Sequence, residues 1–495
     1  MNAPTGAPAP RRRPGGPGPF LVLALILVVP AIVLFATHRW ADAQIRTIEP
    51  APAAPAVAAP VPALTAPMFT MRRLSTVVSR ELAIDDFRAA VTSFLPTIGD
   101  RSCVAVSVDG EPVGSRNADL PVIPASTQKL LVAATALEVL GESFQFTTSA
   151  TTASPPAGGA VAGDLYLVGG GDPVLSSDWY PVSNLERYPV TSPTRLEALA
   201  DALVAAGITS VSGNVVGDAS RYDDEYFAPS WAVGVAGLEA GPYDSLMVND
   251  SRVLNDPLKA NDPAEGAARE FVRMLNERGI TVGGTATTGT APAGTTEIAS
   301  IQSAPMSEVV AEMLGNSDNN TAEMLVKELG YQESATGARE AGLAVIKDSL
   351  AGWGVDTTGI VLADGSGLSP DNRVTCTALL TVLQRSDPNG PIGTGLPVAG
   401  QSGTLADIFV DHPIAGRLLG KTGTLSNPPF NEDPPAVKAL AGYVNVDGGS
   451  AVEYALVLNG PTISDQSEYR PVWNALADVM VTYPNGPTPA ELGLR

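Results

Sequence analysis

Hydrophobic positions recur along this chain in two periods, and changes of period mark most of its elements. Ser126 to Leu140 carries Leu130, Leu131, Ala134, Leu137 and Val139 and stops at Gly141. That spacing predicts a helix with one buried face, entered from a proline-led loop, Pro121 to Pro124. Two more helical runs, Met306 to Leu314 and Thr321 to Leu329, flank the polar corner that follows Gly315-Asn316. Cys103 to Val108, Ala439 to Val446 and Val452 to Leu458 predict strands. Cys376 to Leu383 and Tyr469 to Val481 predict further helices.

The middle of the chain has another texture. Asp164 to Val168, Gly169-Gly170-Gly171-Asp172-Pro173 and Gly213 to Gly217 are strand-like and rich in turns, with helical runs at Thr194 to Ala206 and Ala264 to Arg278. About 425 residues are too many for one ordinary domain. The economical organisation is a discontinuous catalytic domain, 75–149 and 298–495, carrying an inserted accessory region, 150–297. The expected class is α+β, with helices packed on an antiparallel sheet and a large β-rich insertion.

The N-terminus predicts a location. Arg11-Arg12-Arg13 lies in a basic tail, 1–19, and precedes Phe20 to Ala36, seventeen residues without a charge. This pattern predicts a transmembrane anchor over 20–37 with the catalytic part outside the cell membrane; a cleaved secretory signal is the alternative, with Ala41-Asp42-Ala43 as its site. Residues 38–74 form a linker, almost all Ala, Pro and Val from Pro50 to Pro67, which suits a stiff spacer. A formal charge of −22 argues against nucleic acid as a partner. Two cysteines, Cys103 and Cys376, either pair or remain buried thiols.

Candidate chemistry starts at Ser126 and Lys129. Positions i and i+3 share a helix face, so hydroxyl and amine can meet, and a neutral lysine can activate a serine. Free N–H groups of the first turn suit a developing oxyanion. A capped helix with a surface lysine is the plainer reading of that pair. Two more motifs change the balance: Ser317-Asp318-Asn319 at the corner between two helices, and Lys421-Thr422-Gly423-Thr424 at the end of Gly416 to Gly420. Each has its own plain reading, a capping turn and an edge-strand end. Together and in this order they form the Ser-x-x-Lys, Ser-x-Asn, Lys-Thr-Gly set of penicillin-recognising serine enzymes.

Other chemistries fail on inventory. Ala415 to Thr422 loosely fits a phosphate loop, but the prolines at 428, 429, 434 and 435 leave no helix to open. The chain has two histidines, His38 and His412, so a Ser-His-Asp triad lacks a placed base, and the separated cysteines lack histidines at zinc spacing. No cofactor or metal is expected.

On these motifs, and on Pro124 to Lys129, Asp364-Gly365-Ser366-Gly367-Leu368-Ser369, and Leu396 to Gly400 running into Ser402 to Leu405, the chain resembles the low-molecular-mass class C penicillin-binding proteins. These are serine D-alanyl-D-alanine carboxypeptidases that often act as endopeptidases too. The resemblance implies that Ser126 attacks the carbonyl between the terminal D-alanines of a peptidoglycan stem while Lys129 takes its proton. It implies that Ser317 and Lys421 relay a proton to the departing D-alanine and that Asn319 binds the substrate backbone. Thr422, Gly423 and Thr424 would bind substrate, with the terminal carboxylate on the two threonines and backbone N–H groups of Ser126 and Thr424 as the oxyanion hole. β-Lactams would acylate Ser126. A β-lactamase or esterase on the same scaffold and a catalytically silent wall-binding protein are the alternatives. Asp364 to Ser369 is read as a tight turn and left outside the catalytic set. Burial and a second cation at Lys421 are both expected to lower the pKa of Lys129.

Overall fold

The computed structural model describes residues 33–40, 71–185, 188, 190–426, 433–446 and 449–492. The chain divides into two units, Met1–Leu74 and Ser75–Arg495. Of the first, 33–40 is helical, with Thr37 Oγ1 donating to Leu34 O at 2.9 Å.

From α1 (Met71–Phe94) the chain runs through β1 (Cys103–Val108), β2 (Glu111–Arg116) and α2 (Lys129–Val139). It continues through β3 (Thr147–Thr152), β4 (Leu165–Val168), α3 (Leu196–Ala205), β5 (Val215–Asp218), α4 (Pro263–Glu277), β6 (Ala286–Thr288) and β7 (Thr296–Gln302). Next come α5 (Met306–Asn316), α6 (Asn319–Ser334), α7 (Arg339–Gly352) and α8 (Cys376–Arg385). The last main elements are β8 (Leu418–Leu425), β9 (Ala436–Val446), β10 (Ser450–Gly460) and α9 (Gln466–Met480).

Strand alternation sets the layers. Cys103 and Ala105 of β1 enter one core while Val104, Val106 and Val108 enter another, because successive strand side chains point to opposite faces. The central sheet, in the order β8-β9-β10-β1-β2, is antiparallel throughout. One face carries α2, α5, α6 and α8; the other carries α1 and α9, with Phe87, Val91, Trp473 and Leu476 in the contact. The α+β class expected from the sequence is the class observed. Helix α1 was not expected, although Ile84, Phe87, Val91 and Phe94 repeat at helical spacing and are buried. It also takes in 71–74, the end of the expected linker.

A second five-stranded sheet, β6-β5-β4-β3-β7, comes wholly from the residues between α2 and α5. It mixes parallel pairs (β6–β5, β5–β4) with antiparallel ones (β4–β3, β3–β7). Helices α3 and α4 help close a core that draws its buried residues from positions 150–280.

One alternative is decided and one expectation changes. The cysteines pair: Cys103 on β1 and Cys376 at the start of α8 form a disulfide across 273 positions of sequence. The membrane anchor is withdrawn. Among the described residues no helix is long and apolar enough to cross a membrane. Residues 20–32 of the expected span lie outside the described residues, and so do 41–70 of the expected linker.

Candidate active site

The nucleophile's loop is fixed before its helix begins. Asn459 of β10 accepts from Ile123 N at 2.9 Å through Oδ1 and donates to Ile123 O at 3.0 Å through Nδ2, pinning the segment to the sheet. Thr127 Oγ1 donates to Pro124 O at 2.7 Å. Ser126 then lies in a 3-10 turn, Ala125–Gln128, with the α-helix starting only at Lys129. This differs from the continuous helix expected over 126–140. In a 3-10 turn residues i and i+3 nearly eclipse, which brings the pair closer in azimuth than an α-helix would. Lys129 Nζ is 3.1 Å from Ser126 Oγ.

Ala125 has φ +47, an uncommon conformation for a residue with a side chain. Gly367 packs directly on it: a Cβ at 367 would collide with Ala125 O, and Gly367 itself has φ +83. Gly423 of β8 passes the same turn, where a Cβ would lie 2.9 Å from Pro124 O. Two glycines thus pack against the nucleophile's turn.

Lys129 is fully buried, and its Nζ lies 2.7 Å from Asn319 Oδ1 and 2.6 Å from Ser366 O. Asn319 is oriented by its other end, where Nδ2 donates to Glu239 O at 2.8 Å. A carbonyl only accepts, so Oδ1 must face the lysine. Ser317 caps the end of α5 in the left-handed region, φ 61, and Asp318 caps α6 by accepting from Thr321 N. The corner expected between two helices is therefore built from one strained residue and one cap. Lys421, also fully buried, donates to Ser317 Oγ at 2.8 Å and Thr422 O at 2.9 Å.

Lys421, Thr422, Gly423 and Thr424 lie within β8 rather than beyond its end, on the edge of the central sheet. Thr422 Oγ1 is 2.8 Å from Thr404 Oγ1, and Thr424 Oγ1 accepts from Lys438 Nζ at 2.9 Å. Ser126, Ser317, Asn319, Thr422 and Thr424 line one cleft of about 560 Å³. A larger cavity, about 810 Å³, lies elsewhere around Trp353 and Arg385 and contains none of these residues.

Burial pushes the Lys129 ammonium down to about 8, against the opposing pull of Asp364, Glu323 and Asp318. Lys421 is held well below its ordinary value by burial first and by the Lys129 charge second. The repulsion between cations, expected to act on Lys129, thus acts on Lys421. Burial raises Glu323, helped by Asp364, and raises Asp318, helped by Asp250.

The Asp364–Ser369 turn belongs to this site after all. Asp364 accepts from Gly367 N at 2.9 Å, Ser369 N at 2.6 Å, Asn372 Nδ2 at 2.8 Å and Trp231 Nε1 at 2.8 Å. Glu323 accepts from Gly365 N at 3.0 Å and Ser366 N at 2.7 Å. Two buried carboxylates thereby aim the Ser366 carbonyl at Lys129. Asn372 and Trp231 carried no local signal for this role. Among the described residues no group of His, Cys, Asp or Glu is arranged to hold a metal ion.

Comparison with known proteins identifies the family. Residues 96–254 and 245–480 match the D-Ala-D-Ala carboxypeptidase 3 (S13) family. The chain is 31% identical over 426 residues to the D-alanyl-D-alanine carboxypeptidase of Actinomadura sp. (strain R39), covering 72% of this chain and 77% of that protein. It is 31% identical over 465 residues to carboxypeptidase DacB of Mycolicibacterium smegmatis, covering 89% and 92%. Penicillin binding protein 4 from Haemophilus influenzae shares the fold, with TM-score 0.63 at 20% identity over 79% of this chain and 98% of that one. The match over most of the chain places it in the D-Ala-D-Ala carboxypeptidase 3 (S13) family.

Proposed function

We propose that this chain is an exported serine D-alanyl-D-alanine carboxypeptidase that trims peptidoglycan stem peptides through an acyl-enzyme on Ser126. The observation that carries the reading is Lys129: buried, depressed to about 8, and 3.1 Å from Ser126 Oγ. A neutral amine has two N–H bonds and one lone pair. Asn319 Oδ1 and Ser366 O accept the two hydrogens, which leaves the lone pair for the Ser126 hydroxyl.

Ser126 Oγ attacks the carbonyl between the terminal D-alanines as Lys129 takes its proton. The oxyanion sits between the backbone N–H groups of Ser126 and Thr424. Lys421 and Ser317 pass a proton to the leaving amine, and water later releases the acyl group. Asn319 keeps one N–H and one lone pair for the substrate backbone, while Gly423 lets that backbone approach β8. Penicillins acylate the same hydroxyl, and cross-linked stems are cut by the same steps. The catalytic domain is assigned to 75–149 and 298–495 and the accessory region to 150–297, supported by the latter's separate core. The Cys103–Cys376 bridge supports an oxidising compartment.

The test is intact mass after brief exposure to benzylpenicillin, with Ser126→Ala as control, together with D-alanine release from a peptide ending in D-Ala-D-Ala. One drug mass bound, absent in the control, with D-alanine released, is expected. Consumed drug without an adduct would mean a β-lactamase; intact drug and no adduct would leave an esterase or a silent wall-binding protein.

A further inference from the structure

Residues 231–241 of the accessory region lie against the catalytic corner. The segment is closed on itself: Val235 N donates to Ala232 O at 2.8 Å, Glu239 N to Val235 O at 2.9 Å and Gly237 N to Ala240 O at 2.7 Å. Just upstream, three ion pairs bolt the same region to α6 and α7. Lys327 meets Asp223, Arg221 meets Glu328 and Arg339 meets Glu225, each at 2.6 Å. Trp231, Ala240 and Tyr243 share a buried apolar cluster with Met324 of α6, and Leu368 packs against it.

Two groups of this segment end on the supports of Lys129. Asp364 is fully buried and accepts from Gly367 N, Ser369 N, Asn372 Nδ2 and Trp231 Nε1, all within 2.9 Å. Three of these donors belong to the neighbouring chain of Asp364 itself; only Trp231 comes from the accessory region. The Glu239 carbonyl accepts from Asn319 Nδ2 at 2.8 Å, and Gly241 N donates to Asn320 Oδ1 at 2.7 Å, one residue further along α6. Ser366 O and Asn319 Oδ1, the two acceptors of the Lys129 N–H groups, thus both trace back to one short stretch of the accessory region. We infer that residues 231–241 are the positioning element of the general base, with Trp231 acting through Asp364 and the Glu239 carbonyl through Asn319. This rests on the reading of Lys129 as the base for Ser126. The accessory region is then part of the machinery that aims the Lys129 lone pair, and Trp231 is a positioning residue.

The charges that act on Lys129 are Asp364 in the turn, Glu323 and Asp318 of the α6 corner, and Lys421 on β8. Asp364 pulls the ammonium upward most strongly of the three carboxylates. Removing the Trp231 N–H leaves that negative charge less screened, so Lys129 holds its proton more firmly.

The experiment follows acylation of the full chain by benzylpenicillin across about pH 6 to 9 in wild type and Trp231→Phe, with circular dichroism as the check on folding. Benzothienylalanine in place of Trp231 keeps the bicyclic shape and replaces N–H by sulfur, should the smaller ring fail to fold. Expected is an inflection that moves up in pH, with a rate about tenfold lower on the rising limb. An inflection that stays or moves down in a folded variant would reduce Trp231 to a packing residue and overturn the inference, whatever the rate does. If wild type is not acylated, the carboxypeptidase reading falls. The titration of Lys129 Nζ, followed by NMR in lysine-labelled protein, then decides: a higher midpoint in the variant supports the coupling and an equal one overturns it.

Discussion

The carbonyl of Ser366 lies 2.6 Å from Lys129 Nζ, closer than the 3.1 Å between that nitrogen and Ser126 Oγ. The base is thus held more closely by its scaffold than by the nucleophile's hydroxyl. Asn319 Oδ1 takes a second N–H at 2.7 Å. With two acceptors filled, the direction left open is the one that faces Ser126.

Removing that base should leave a folded but inert protein. Lys129→Ala is expected to lower the second-order rate of acylation by benzylpenicillin by at least about 10²-fold to 10⁴-fold, the usual contribution of a general base. Stopped-flow acylation alongside circular dichroism checks it. Normal labelling by a folded variant would refute the role given to Lys129.

Acylation should depend on pH with a definite sign. Lys129 acts unprotonated and its ammonium is held at about 8, so the rate should climb with pH below that value and level off above it. A rate that is flat across about pH 6 to 9 would show that another group is the base.

Gly367 makes a purely conformational test. An alanine there would meet Ala125 O and adopt a positive φ, so Gly367→Ala should cost more than about 1 kcal/mol of stability and shift Ser126 out of line. Thermal unfolding and acylation should both suffer. Gly110 also has φ +79 but nothing within 4 Å of its Cβ position, so Gly110→Ala should lower stability with acylation retained. Retained acylation in Gly367→Ala would contradict this account of the turn.

The disulfide offers another test. Cys103 and Cys376 are buried and close a loop of 273 positions, so replacing both with alanine should destabilise the fold by roughly 2 to 5 kcal/mol. Chemical unfolding of both forms measures it; equal midpoints would mean that the bridge adds nothing.

Local periodicity made the scaffold legible, and the motifs made its chemistry legible. Cys103 to Val108 carries its own strand signal, and the spacing of Ser126 and Lys129 works in either kind of helical turn. What escaped was contributed by backbone or by register. The Ser366 and Glu239 carbonyls have no residue identity to read, since every residue supplies the same oxygen. Lys438 meets Thr424 only through a hairpin pairing fourteen positions apart, whose offset the sequence does not print. The anchor expectation relied on a pattern that lies largely outside the described residues, and among the described residues no helix is long and apolar enough to cross a membrane.

Strand order also has a consequence in time. The N-terminal strand β1 bonds on one side to β10, whose partner residues lie at 452–457, so that edge stays open until nearly the whole chain is available. The second sheet closes entirely within 147–302. Contacts between distant segments form late because loop closure must come first. Pulse-labelled hydrogen exchange during refolding should therefore find protection in β3 to β5 before β1. The reverse order would mean that the sheet bearing the nucleophile's loop nucleates the fold rather than completing it.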